Sequence, residues 1–195
     1  MSEEIGDDWD EALRELTGQM GEADSHARSV ALVMTPLASV EAVAAVLAMS
    51  SLPGQVLMTD TGAAVWLEVE PDPEDDLDAL LGADRPMPKK ADELAKLLSQ
   101  TSPLGVVLLV SWLGNGDQGE PGVSGQVIAR RYQKGAEGAD LPAGLVISTA
   151  DGRVEDLLLG KSTPADYENI DASRMGRMAG LKALRKAMRR KKKGE

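Results

Sequence analysis

Two groups of side chains in this sequence could do chemistry by themselves: a run of carboxylates, Asp72, Glu74, Asp75, Asp76 and Asp78, and the lone imidazole of His26. Such a run could hold a hard cation, but a calcium loop sets its ligands at alternating positions around a bend glycine, and that pattern is absent. Helix-terminus electrostatics accounts for these acids better: Asp72 can cap a helix, Pro73 can take its first position, and the acids that follow suit the positive end of the helix dipole. His26 lies in the polar stretch 21–28, which reads as a linker, and a catalytic base has to be held by a rigid scaffold. There is no cysteine, which removes thiolate nucleophiles, disulfides and Cys-ligated zinc or iron–sulfur sites. An enzyme built on this chain would rely on carboxylates, hydroxyls, Lys161 or backbone amides. No catalytic residue, metal ligand or cofactor is assigned.

Three short patterns look like chemistry at closer range. Asp60-Thr61-Gly62-Ala63, preceded by apolar Val56-Leu57-Met58, resembles the aspartic-protease signature, which implies a catalytic Asp at a tight turn and a second carboxylate sharing its proton. One copy would demand a homodimer, and the small dimeric members of that family are nearly all β, whereas two helices are expected between the strands here. Asp and Gly are also ordinary turn residues, and a plain hairpin turn is the expectation. Gly114-Asn115-Gly116-Asp117-Gln118-Gly119 fits G-x-G-x-x-G after a strong strand, but Glu120-Pro121-Gly122 prolongs the loop where a helix should open onto a pyrophosphate. Gly160-Lys161-Ser162-Thr163 resembles the end of a phosphate-binding P-loop, yet Glu155 stands where the first glycine of that pattern belongs.

Charge is the strongest feature of the chain. From Arg174 onward there are ten Lys or Arg (Arg174, Arg177, Lys182, Arg185, Lys186, Arg189, Arg190, Lys191, Lys192, Lys193) against the single acid Glu195, a net of +9. In a chain of net −11 this leaves −20 on the 173 residues before them. The stretch 175–190 carries good helix formers with Met178, Leu181, Leu184 and Met188 on one side. That stripe is narrow and interrupted by Arg177 and Arg185, which argues against a helix lying in a membrane. Three readings stay open: the tail folds back on its own acidic body or that of a second copy, it binds nucleic acid or a nucleic-acid assembly, or it docks on an acidic protein or anionic membrane. No aromatic interleaves it, so any nucleic-acid contact would be electrostatic.

The elements that would position these groups follow from hydrophobic period. Trp9, Leu13, Leu16 and Met20 share one face of a short N-terminal helix that packs on the body or docks on a partner through Trp9. Val30–Met34 reads as a buried strand, Ser39 as the cap of a helix ending before Pro53-Gly54, and 55–69 as a hairpin. A short helix bearing Leu77, Leu80 and Leu81 is expected next, then a helix over 89–100. The apolar run 104–113 is the best candidate for a central strand, followed by a strand over 123–132. Residues 143–149 and 153–159 read as a hairpin turning at Asp151-Gly152. The order gives an α+β fold with a ferredoxin-like β-α-β-β-α-β core, extra antiparallel strands and helices on one face. The organisation is then 1–28 helix and linker, 29–160 body, and 161–195 linker and basic, helical tail.

The N-terminus lacks the basic start and apolar run of a signal peptide, and no apolar stretch approaches the roughly 20 residues of a membrane span, so a soluble cytoplasmic protein is expected. The functional expectation is a non-enzymatic interaction or regulatory protein whose acidic body carries a basic tail for an anionic partner. That partner is nucleic acid, a nucleoprotein assembly or an acidic protein; membrane is disfavoured, and homo-oligomerisation stays open. The alternative is an enzyme or nucleotide-binding protein using the 114–125 loop or the Asp60 turn.

Overall fold

The computed structural model describes residues 29–69, 86–112 and 126–191. The expected helices at 9–20 and around Leu77–Leu81, His26, the carboxylate run and the 114–125 loop lie outside them.

Strand β1 (Ser29–Met34) is buried on both sides, with Ala31 and Val33 in one core and Leu32 in another, which is why its sequence is apolar without alternation. The Ser39 hydroxyl accepts the Ala42 N–H at 3.2 Å and caps helix α1 (Val40–Ser50). Strands β2 (Gln55–Thr59) and β3 (Gly62–Val69) form a hairpin through Asp60-Thr61. Helix α2 (Lys89–Thr101) leads into β4 (Val106–Trp112) through a loop that lies hard against strand β5 (Gln126–Gln133). Gly105 permits that approach: its φ is +79°, and a Cβ there would sit 2.4 Å from the Tyr132 carbonyl oxygen. The chain continues through β6 (Ala136–Leu141), α3 (Ala143–Thr149), α4 (Gly152–Leu158), β7 (Asn169–Asp171) and α5 (Arg177–Lys191). The seven strands form one sheet in the order β6-β5-β4-β1-β3-β2-β7, every pair antiparallel, so the class is α+β.

Helices occupy both faces of this sheet, whereas one face was expected. On the first, α1 (Val43, Ala44, Leu47) and α2 (Ala91, Leu94, Leu98) cover Val33, Val65, Leu108 and Val110. On the second, α4 (Val154, Leu157, Leu158) covers Leu32, Leu57, Leu109 and Ala129, with Val146 and Ile147 of α3 packed alongside. The residues expected as a hairpin at 143–159 are these two helices. Val154, Leu157 and Leu158 are spaced i, i+3, i+4, the helical period, and Asp151 caps α4 by accepting the Arg153 N–H at 3.0 Å.

Two strands escaped the sequence reading. Edge strand β6 is exposed up to half-buried Leu141 and shows no apolar alternation; its signal is the Lys134-Gly135 turn, both residues at positive φ (54° and 80°) as a tight hairpin requires. Strand β7 is three residues long and pairs with β2. The segment after residue 160 therefore supplies a strand to the sheet and, in α5, a helix lying on α1. Among the described residues no helix is long and apolar enough to cross a membrane.

Candidate anionic-partner surface

Helix α1 is apolar nearly all round: Val43, Ala44, Ala45, Leu47 and Ala48 are all buried. A helix with no polar face needs cover on its outer side as well as beneath, and α5 provides it. The path is set by β7, by the Ala172 N–H donating to the Gly54 carbonyl at 3.0 Å, and by a single 3-10 turn at Ala172–Arg174 that turns the chain back.

The crossing is made of small residues. Gly180 is buried, and a Cβ added to it would stand 3.1 Å from the Ala45 carbonyl oxygen and 3.3 Å from the Ala48 Cβ, so a side chain here would push the two backbones apart by a few tenths of an ångström. Leu181, Ala183 and Leu184 are half-buried beside it, while Met178 is 71% exposed. Of the expected Met178-Leu181-Leu184-Met188 stripe, Leu181 and Leu184 thus face the body beside Gly180, whereas Met178 is turned out to solvent.

The basic residues divide by role. Arg177 donates its Nε (3.2 Å) and Nη2 (2.8 Å) N–H groups to the Ser51 hydroxyl. Ser51 closes the C-terminus of α1 in the left-handed region (φ 57°), and α1 has no basic residue in its own last turn. Arg177 therefore brings a cation to the negative end of that helix dipole and fastens α5 down. Arg174 lies 3.1 Å from Asp171 but is 88% exposed, a pairing of small energetic weight. Lys182 and Arg185 are exposed and have no ion pair among the described residues. Lys186, Arg189, Arg190 and Lys191 belong to the same helix; Lys192 and Lys193, like Trp9, Leu13 and Leu16 of the second expected docking element, lie outside the described residues.

Two of the patterns that looked like chemistry, the Asp60 turn and Lys161-Ser162-Thr163, are held in structural bonds. The Asp60 backbone N–H donates to Asp151 Oδ2 at 3.1 Å, and the Arg153 guanidinium donates to the Met58 carbonyl at 2.8 Å, so the turn at Asp60 is a clamp between the β2–β3 hairpin and α4. The N–H groups of Lys161 and Ser162 both donate to the Asp156 carbonyl (2.9 and 3.2 Å), closing the end of α4. The Thr163 N–H and hydroxyl both donate to Asp166 Oδ2 (2.7 and 3.0 Å), which holds the Asp166 carboxyl below its usual range. Amides committed in this way do not cradle a phosphate.

No family model, curated protein or solved structure matches this chain.

Proposed function

We propose that the protein is a non-enzymatic binding module that holds a polyanion, nucleic acid or a nucleic-acid assembly, on the outer side of α5. The observation that carries this reading is the way α5 is seated. Its contact with the body runs through Gly180, half-buried Leu184 and the Arg177–Ser51 bonds, so Lys182 and Arg185 are left outward and unneutralised among the described residues. A tail drawn to its own acidic body by charge would have spent those cations inward. The net of +9 over residues 174–195 rewards a phosphate backbone irrespective of base sequence. The strongly acidic remainder limits contact to that one helix.

The inner strands β4-β1-β3-β2 with α1 and α2 on one side support a ferredoxin-like reading of the core, an architecture that serves many functions and by itself assigns none. A cytoplasmic site of action fits both. The test is fluorescence anisotropy with a labelled oligonucleotide over a salt series. Lys182→Glu with Arg185→Glu should weaken binding strongly at low salt and lower the slope of log K against log salt by about 0.9 for each phosphate no longer neutralised. No binding at low salt, or binding indifferent to the pair, overturns the proposal, and an acidic protein then becomes the partner to seek.

A further inference from the structure

Among the described residues, the second face of the sheet is not covered to its end. Strand registers place Met34, Val107 and Arg131 side by side in one transverse row, Met34 opposite Val107 and Val107 opposite Arg131. Residues spaced by two along a strand share a face, so this row belongs with the buried Leu32, Leu109 and Ala129 one step inward. Helices α3 and α4 cover those inner residues and stop there. Met34 and Val107 are only half-buried and Arg131 is exposed. The row is the floor of an open cleft of about 340 Å³, walled by Leu104, Thr61 and Leu141. Its volume is at the lower end of the range for small-molecule sites.

Adjacent arginines make the chemistry specific. Arg130, on the opposite face, is bonded to Asp140 (2.5 Å) and paired with Glu137, which fixes it as a brace between β5 and β6. Arg131 has one bond, from Nη2 to the Leu104 carbonyl at 3.3 Å, and no carboxylate partner among the described residues. That bond ties the guanidinium to the cleft wall and leaves donors of its planar fork unused. In a chain whose first 173 residues carry −20, Arg131 thus sets a cation with no described carboxylate partner beside an apolar floor.

We propose that this cleft binds a small organic carboxylate, its apolar body resting on Met34 and Val107 and its carboxylate taken by Arg131. One guanidinium matches one carboxylate in charge and in two-point geometry. A multiply charged phosphate would meet the acidic body with most of its charge unanswered.

The test is a titration of the full-length protein with octanoate and with 4-phenylbutyrate, followed by backbone amide shifts. Uncharged 4-phenylbutyramide and inorganic phosphate serve as controls. Saturable shifts at Thr61, Gly105 and Val107, with a dissociation constant at or below about 1 mM, are expected for both carboxylates and for neither control. Arg131→Gln should weaken binding about tenfold or more, and Arg131→Lys, which keeps the charge without the fork, by less. Three outcomes overturn the proposal: no saturable shift at those amides, unchanged binding in Arg131→Gln, or shifts confined to Arg177–Lys191, which would mark general attraction of anions to the basic helix.

Discussion

The first face of the sheet is two helices deep in places, with α5 on α1 and α1 on the strands, while among the described residues the second carries only α3 and α4, seven residues each. The difference follows from composition. Helix α1 buries Val43, Ala44, Ala45, Leu47 and Ala48 around most of its circumference and so recruits a second layer. Helix α3 buries no residue fully and leaves Leu145 63% exposed, and no described element is drawn over it. One face is built for stability and ends in a basic outer surface. The other runs short of described helix before it runs out of strand, and the row left open among the described residues forms a cleft.

Truncations in the two cores test whether the depth of cover is real. Leu98 and Leu157 are almost wholly buried, one under each face. Leu98→Ala should cost about 4 kcal/mol, because the surrounding α2, β4 and β5 cannot close the cavity. Leu157→Ala should cost about 2 to 3 kcal/mol, since a seven-residue helix can shift inward and fill part of the space. Urea unfolding of both variants gives the comparison directly. Equal losses would mean that the second face is packed as rigidly as the first.

Asp151→Ala sharpens the same contrast at a single hinge of the thin face. Its carboxylate caps α4 through the Arg153 N–H, accepts the Asp60 N–H and lies 3.7 Å from the Arg153 side chain. Loss of a cap and a second hydrogen bond should cost about 1 to 2 kcal/mol. Amide exchange should quicken in Gly152–Leu158 while α1 and α2 keep their protection. Uniform acceleration across both faces would show that α4 does not open by itself.

What could be read in the sequence tracks how much of the signal was local. The Ser39 cap, the Asp60-Thr61 hairpin and the apolar run of β4 stood out because each is fixed by neighbours in the chain. The 143–159 segment was misread because apolar runs of seven residues fit strand or helix, and only the i, i+3, i+4 spacing of Val154, Leu157 and Leu158 separates them. Strands β6 and β7 carry almost no apolar pattern: β6 exists through its hairpin with β5, and β7 through pairing with the distant β2. The basic character of α5 was legible at once, but its seat was not, because Gly180 reads as a helix weakness until Ala45 and Ala48 are seen beneath it. Arg131 was invisible as a site residue, since nothing in Ala129-Arg130-Arg131-Tyr132 shows which arginine meets a carboxylate.

The smallest effect is expected at the outer margin of the thick face, where α2 reaches over β5. Tyr132 is fully buried there, and its hydroxyl donates to Asp92 Oδ1 at 2.9 Å, while Lys96 holds Asp92 Oδ2 at 2.6 Å. Burial first, and then the bond to Asp92, push the tyrosine well above its ordinary value. Tyr132→Phe leaves Asp92 still paired with Lys96, so at neutral pH the loss should be about 1 kcal/mol. The alkaline limb is more telling. The native state keeps the phenolic proton at a pH where the unfolded chain has lost it, so this group's contribution is intact below about pH 10 and declines above it. The decline approaches about 1.4 kcal/mol per pH unit in the wild type and is absent from the phenylalanine variant. Urea melts from pH 8 to 11 should therefore show two stability curves that converge above about pH 10. Curves that stay parallel would mean that the hydroxyl reaches solvent and that α2 does not seal the margin of its own face.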